Sequence, residues 1–247
     1  MAIWNEPQPT RTGFGASPSL NRGAIGRAGF DAGLRRHMLS IYNYMASGVL
    51  LSGIVAMVFA LSGMAAQVFG TPLQFVVILA PLAIVFAMSF GANRMQTTTL
   101  QALFWSFCVL MGLSMSTVFL VYTGTSIATT FFATAGAFAG LSLVGYTTKR
   151  NLSAMGSFMV MGLFGILIAM VVNMFLHSTG LALAISVLGV LIFAGLTAWD
   201  TQRLKEQYYQ VAGTQFAGKA VVLGALSLYL DFINMFQFLL SFMGNRR

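Results

Sequence analysis

Acidic side chains are nearly missing from this chain. Of 247 residues only five are Asp or Glu, and charged residues of both signs make up 7%, against roughly a quarter in a soluble globule. Together with a hydrophobic content of 57%, that scarcity excludes an ordinary water-soluble fold and points to a chain immersed in lipid. Cysteine is limited to Cys108, inside an apolar run, so neither a disulfide framework nor a cysteine-rich metal centre can form within one chain. Cys108 reads as a small buried residue. The first 40 residues lack the apolar stretch that follows a basic start in a cleavable signal peptide. The first membrane span is therefore expected to act as its own targeting signal.

What is abundant is apolar sequence in long runs. A helix needs ~20 apolar residues to cross a hydrocarbon core, and seven runs qualify: residues 44–66, 73–90, 100–122, 127–146, 154–176, 181–202 and 220–243. The expected fold class is all-α, a polytopic seven-helix bundle. Residues 1–34 are rich in Gly, Pro, Ser, Asn and Arg and are expected to be a disordered cytoplasmic tail, leaving 35–247 as one transmembrane domain.

The net charge of +8 is distributed by side rather than by patch. Arg11, Arg22, Arg27, Arg35 and Arg36 precede the first run, Arg94 follows the second, Lys149 and Arg150 follow the fourth, and Arg203, Lys205 and Lys219 lie between the sixth and seventh. The loops after runs one, three and five hold no Lys or Arg. This alternation is the positive-inside pattern rather than a nucleic-acid footprint, and it puts the N-terminus in the cytoplasm. Arg246 and Arg247 break the pattern if the last run crosses completely. The alternative is a final segment that enters the membrane without crossing it.

Within the runs, small residues four apart, Gly48 and Ser52, Gly136 and Gly140, and Ala220 and Gly224, are expected to be helix-packing devices. The 16 methionines read as gap fillers, and Pro81 as a kink in the second span.

Two of the five acids fall where lipid tolerates them least. Asp200 follows the apolar run 181–199, and Asp231 lies near the centre of 220–243; Glu6, Asp31 and Glu206 fall in polar segments. An ionised carboxylate in hydrocarbon costs several kcal/mol, so such residues face a bundle interior, pair, and mark function. The segment after Asp200, TQRLKEQYY, holds no Gly or Pro and is rich in helix formers, so the helix is expected to continue to about Tyr209, raising Asp200 to a depth near that of Asp231. Arg203, Lys205 and Glu206 are then expected to face water or snorkel. Two carboxylates close together in low dielectric cannot both ionise cheaply and tend to hold one proton jointly. A calcium ion prefers six to eight oxygens. Asn234, one turn beyond Asp231, and Asn173 in the fifth run could add carbonyl oxygens, a thin supply that suits passage better than storage.

The segments Trp199-Asp200-Thr201-Gln202 and Ser227-Leu228-Tyr229-Leu230-Asp231-Phe232-Ile233-Asn234-Met235-Phe236 together resemble the signature of the Bax inhibitor-1, or transmembrane Bax inhibitor motif, family. Residues 145–153, GYTTKRNLS, resemble its bacterial branch, and the likeness covers residues 35–247. The resemblance implies a seven-helix membrane protein without catalytic residues or cofactor, in which Asp200 and Asp231 form a pH-sensing pair controlling a calcium leak. It also implies an arginine from the region of the second span meeting the aspartate of the sixth, for which Arg94 is the candidate. Calcium and protons are the expected partners besides the lipid bilayer, and no protein partner is indicated.

Other readings fit less of the sequence. An intramembrane aspartic protease carries Gly-x-Gly-Asp and a late Pro-Ala-Leu, whereas Asp231 follows Leu-Tyr-Leu and no proline occurs after Pro81. A rhomboid-type serine protease needs a buried serine with a partner histidine, and His177 stands at the outer end of a span. A retinal pump needs a lysine in the middle of the last span, where none exists. A proton-coupled transporter suits a mid-depth acid pair, though no inverted repeat is visible. A regulatory membrane protein acting through partner binding would not need the acids.

Overall fold

The structure is a computed structural model and describes residues 22–247, with side chains from residue 32 onward. It is built from helices α1 (Arg22–Leu61), α2 (Met64–Val68), α3 (Leu73–Gly91), α4 (Thr97–Val121), α5 (Gly124–Thr147), α6 (Ser153–Leu176), α7 (Thr179–Val211) and α8 (Ala217–Met243). All except the one-turn α2 are long and apolar enough to cross a membrane. Contacts divide the chain between Arg36 and His37, and apart from the start of α1 everything described below lies in the unit that begins at His37.

Two boundaries differ from expectation. The first apolar run ends at Leu61 rather than 66, because Gly63 adopts φ 76°, a left-handed conformation that stops a helix without a Cβ penalty. At the other end, α1 begins at Arg22, so residues 22–34 are helical where a tail was expected, in spite of Gly26, Gly29 and Gly33. The rest of the expected tail lies outside the described residues. Helix α7 does run on past residue 202, to Val211, and ends before Gly213, again at φ 76°. Side-chain caps start two spans: Thr123 accepts from the Ser126 amide, and Ser178 from that of Leu181.

Helix α8 is the most buried span and α6 the least. Its 27 residues span about 40 Å, enough for a full crossing. Near its start the Lys219 ammonium donates to the carbonyls of Ala92 (3.1 Å) and Asn93 (3.4 Å), in the α3–α4 turn. Beyond its end, residues 245–247 pair with the α4–α5 turn: Arg247 N donates to Val121 O (2.9 Å) and Thr123 N to Asn245 O (3.1 Å). Since α4 itself joins those two turns, α8 crosses completely. Arg246, over the Tyr122 ring at 6.0 Å, stands at the far end despite its charge.

The expected small-residue contacts are met at two of three places. Gly48 lies against Phe104 and Cys108, Ser52 bonds the Cys108 carbonyl (2.7 Å), and Gly224 lies against Leu204 and Ile41. Gly136 and Gly140, in contrast, are exposed with nothing within 4 Å of an added Cβ, so this pair packs no helix here. Cys108 is buried, as its apolar setting implies. Pro81 lies buried within a continuous α3.

Candidate functional site

The last two spans meet along most of their length, and the acids sit in that seam. Counting from the end shared by the α7–α8 turn, Asp200 lies ~16 Å along α7 and Asp231 ~21 Å along α8. Both are buried, at 6% and 5% exposure. They face one another within hydrogen-bonding reach, and Ser227, one turn before Asp231, also reaches the Asp200 carboxylate. A carboxylate offers no donor of its own. The contact between the two acids is therefore a hydrogen bond only when one of them holds a proton. Asp200 Oδ1 and Asp231 Oδ2 are both buried without a hydrogen-bond donor.

The cation at this site is Arg203. Its Nη2 stands 2.9 Å from Asp200 Oδ1, an ion pair by distance without hydrogen-bond angles, since that nitrogen donates to Ser227 Oγ at 3.0 Å. The guanidinium also lies over the Trp199 ring, 4.8 Å from its centroid, and its charge reaches Asp231. Arg203 thus stays half-exposed, in keeping with a side chain that faces water or snorkels, while its guanidinium pairs with Asp200, a contact the sequence expectation did not include. Asp-x-x-Arg places acid and base on one helix face, the signal that could have shown the pairing. Arg94 does not take this part. It is exposed in the α3–α4 turn, held by its own amide to Gly91 O (2.9 Å).

The supporting amides also divide. Asn234 is on α8 one turn past Asp231, but its Nδ2 donates to Leu230 O (2.8 Å) within its own helix. Asn173 is not near the pair: its Oδ1 accepts from Ser178 N (3.0 Å) in the α6–α7 turn, about 30 Å along α7 from Asp200. A residue near the end of one antiparallel span cannot reach a site beyond the middle of the next. His177 sits in that same turn, capping α6.

The segment after Asp200 is fixed by residues 145–152. Gln202 Nε2 donates to Arg150 O and its Oε1 accepts from Leu152 N, both at 2.8 Å. Lys205 Nζ donates to Tyr146 O (2.8 Å) and stands over the Tyr146 ring. Gly145 of α5 lies directly against the Ala198 backbone, and Gly156 of α6 directly under the Trp199 ring. Neither glycine could carry a side chain without displacing the helix turn that presents Asp200. The motif in 145–153 and the motif at 199–202 are two halves of one clamp.

A polar cavity of about 530 Å³ opens between α3, α7 and α8 and ends at Arg203 and Ser227, with Ser89, Glu206, Gln207 and Gln210 along its walls. Neither Asp200 nor Asp231 lines it, whereas their neighbours Arg203 and Ser227 do. On the far side of Asp231, a second cavity of about 310 Å³ is almost wholly apolar. Among the described residues no three His, Cys, Asp or Glu side chains converge to hold a metal ion.

The family model described as inhibitor of apoptosis-promoting Bax1 matches residues 34–247. The chain belongs to the Bax inhibitor-1 family. Its bacterial relatives include an uncharacterized protein of Rickettsia prowazekii, 46% identical over 88% of this chain and 93% of its own. A Caulobacter vibrioides protein is 48% identical over 88% of this chain and 91% of its own. The inner membrane protein YbhL of Escherichia coli is 43% identical over 87% and 94%. With its seven spans, this Bax inhibitor-1 family member is a multi-pass membrane protein embedded in the lipid bilayer.

Proposed function

We propose that this protein is a pH-sensitive calcium leak of the inner membrane, non-enzymatic and without a cofactor, gated where α7 meets α8. The observation that carries the reading is a buried acid pair facing its own arginine, which lines a polar cavity. With one proton shared, the group Asp200, Asp231 and Arg203 is neutral and stable in a low dielectric. Loss of that proton leaves one uncompensated negative charge among residues 5 to 6% exposed, which draws in a cation or parts the helices. Rising pH is therefore the opening direction.

Calcium is the substrate here, not a resident. The two carboxylates and the Ser227 hydroxyl offer five oxygens, below the six to eight calcium prefers, and the arginine occupies the place of a counter-ion. Such a site passes a divalent ion more readily than it keeps one. The positive-inside pattern supports a cytoplasmic N-terminus, which sets the polar cavity on the cytoplasmic side. The inner-membrane setting is supported by the YbhL relative.

The test is calcium flux in proteoliposomes across pH for the parent, Asp200→Asn and Asp231→Asn. Each variant is expected to lose the pH dependence, because a single remaining acid beside Arg203 has no proton to share. Unchanged flux with an unchanged pH profile in both would eliminate the proposal. Movement of an organic solute coupled to protons, with no calcium flux, would favour the transporter.

A further inference from the structure

The second cavity lies beyond Asp231, between α1, α4, α5 and α8, and calcium chemistry makes no use of it. Its wall is hydrocarbon: Ala56, Met115, Phe131, Phe232 and Phe236 are typical, and the one hydroxyl, Ser52, is already engaged by Tyr229 Oη at 2.6 Å. At about 310 Å³ it falls at the small end of ligand pockets. Gly53 on α1 and Ala128 and Phe132 on α5 both line it and are exposed, Phe132 to 73%. The cavity therefore opens sideways onto the lipid-facing flank between α1 and α5.

Depth identifies what enters. Ala128 and Phe132 lie ~6–12 Å along α5 from its start at Gly124, the level of acyl chains rather than headgroups. Directly above, at the α4–α5 turn, Arg246 and Arg247 are exposed and anchored through Tyr122 and Val121. An apolar slot near two exposed guanidiniums, carried on a backbone segment tied to the α4–α5 turn, matches the two ends of one molecule. The geometry points to a phospholipid site: one acyl chain enters the cleft between α1 and α5, and its phosphate is held by Arg246 and Arg247. The chain would lie against Phe232 and Phe236, on the helix that carries Asp231. The site stands independently of the calcium reading.

The test uses the full chain in phosphatidylethanolamine and phosphatidylglycerol vesicles doped with a phospholipid bearing a diazirine at mid-chain. After irradiation, peptide mapping is expected to find labels concentrated on the cavity faces of α1 and α5, above those on the lipid-facing flank of α6 at Phe158 and Phe164. Ala128→Phe, which fills the mouth, should reduce cavity labelling several-fold while leaving the α6 labels unchanged. Gly53→Leu, at a position where an added Cβ meets nothing within 4 Å, should do the same and decides the matter if the first variant does not fold. Replacing Arg246 and Arg247 by Gln should weaken labelling by the phospholipid but not by a diazirine fatty acid. Uniform labelling of α5 and α6, or cavity labelling that survives a filled cleft in a folded variant, would overturn the site. Equal insensitivity of both probes to the arginines would overturn its assignment to a phospholipid.

Discussion

Arg203→Gln separates the two tasks that the structure gives to one guanidinium. At 2.9 Å from Asp200 its charge favours the ionised pair, and it also stands between that pair and the polar cavity. Two unit charges ~4 Å apart interact by about 4 kcal/mol at an effective dielectric of 20. The arginine side chain is 46% exposed, so water screens a large part of this, and about 1.5–3 kcal/mol is a reasonable remainder. Removing the guanidinium takes away this support for the fully ionised pair, so loss of the shared proton becomes harder. Glutamine keeps a donor for Ser227, which limits structural damage. If opening follows loss of the shared proton, the expected calcium-flux profile has its midpoint shifted to higher pH. Above the midpoint its plateau should exceed the parent's, because the cationic barrier is gone. The measurement is dye-reported flux in proteoliposomes from about pH 5 to pH 9, with thermal unfolding as a control for folding. A midpoint that stays put or moves to lower pH in a folded variant would refute the electrostatic argument.

Three further outcomes follow from the packing. Gly145→Ala should lower stability by about 1–3 kcal/mol because a methyl group has to displace the Ala198 backbone, whereas Gly136→Ala, in open space, should be neutral or stabilising by up to about 1 kcal/mol; paired thermal unfolding curves in detergent check both. Gln202→Ala removes two hydrogen bonds to the α5–α6 turn and should cost about 1–2 kcal/mol, read by the same curves, with faster hydrogen exchange at residues 148–152. Arg247→Cys should be labelled by an impermeant maleimide from outside intact cells, since seven crossings from the proposed cytoplasmic N-terminus end there; labelling only after the membrane is opened would reverse the orientation.

The span count and the acid pair were legible because both depend on composition: lipid forces apolar runs, and a carboxylate within one stands out against them. Extension of α7 past residue 202 was legible for a similar reason, since nothing between Thr201 and Tyr209 breaks a helix. Partner choice was not. Arg203 and Arg94 carry the same charge, and only the rotation of α7 decides which one faces Asp200. Small-residue spacing names a helix face without saying what covers it, so Gly136 and Gly140 looked like a contact and face outward. Gly145 and Gly156, which do make close approaches, have no small residue four positions away, because their partners are one backbone turn and one indole ring. Asn173 was misplaced for want of depth: its span and the next share an end, and Asp200 lies towards the other.

The tethers hold α7 and α8 to different turns, with the acids in the seam between them. Lys219 ties one end of α8 to the α3–α4 turn, and the segment after Met243 ties the other to the α4–α5 turn. Gln202 and Lys205 tie α7 instead to the turn between α5 and α6. Neither tail of α8 is free to swing, so the seam cannot unzip from an end. Any opening of the seam therefore has to come from α7 bowing or sliding together with the α5–α6 turn that holds it beside Asp200.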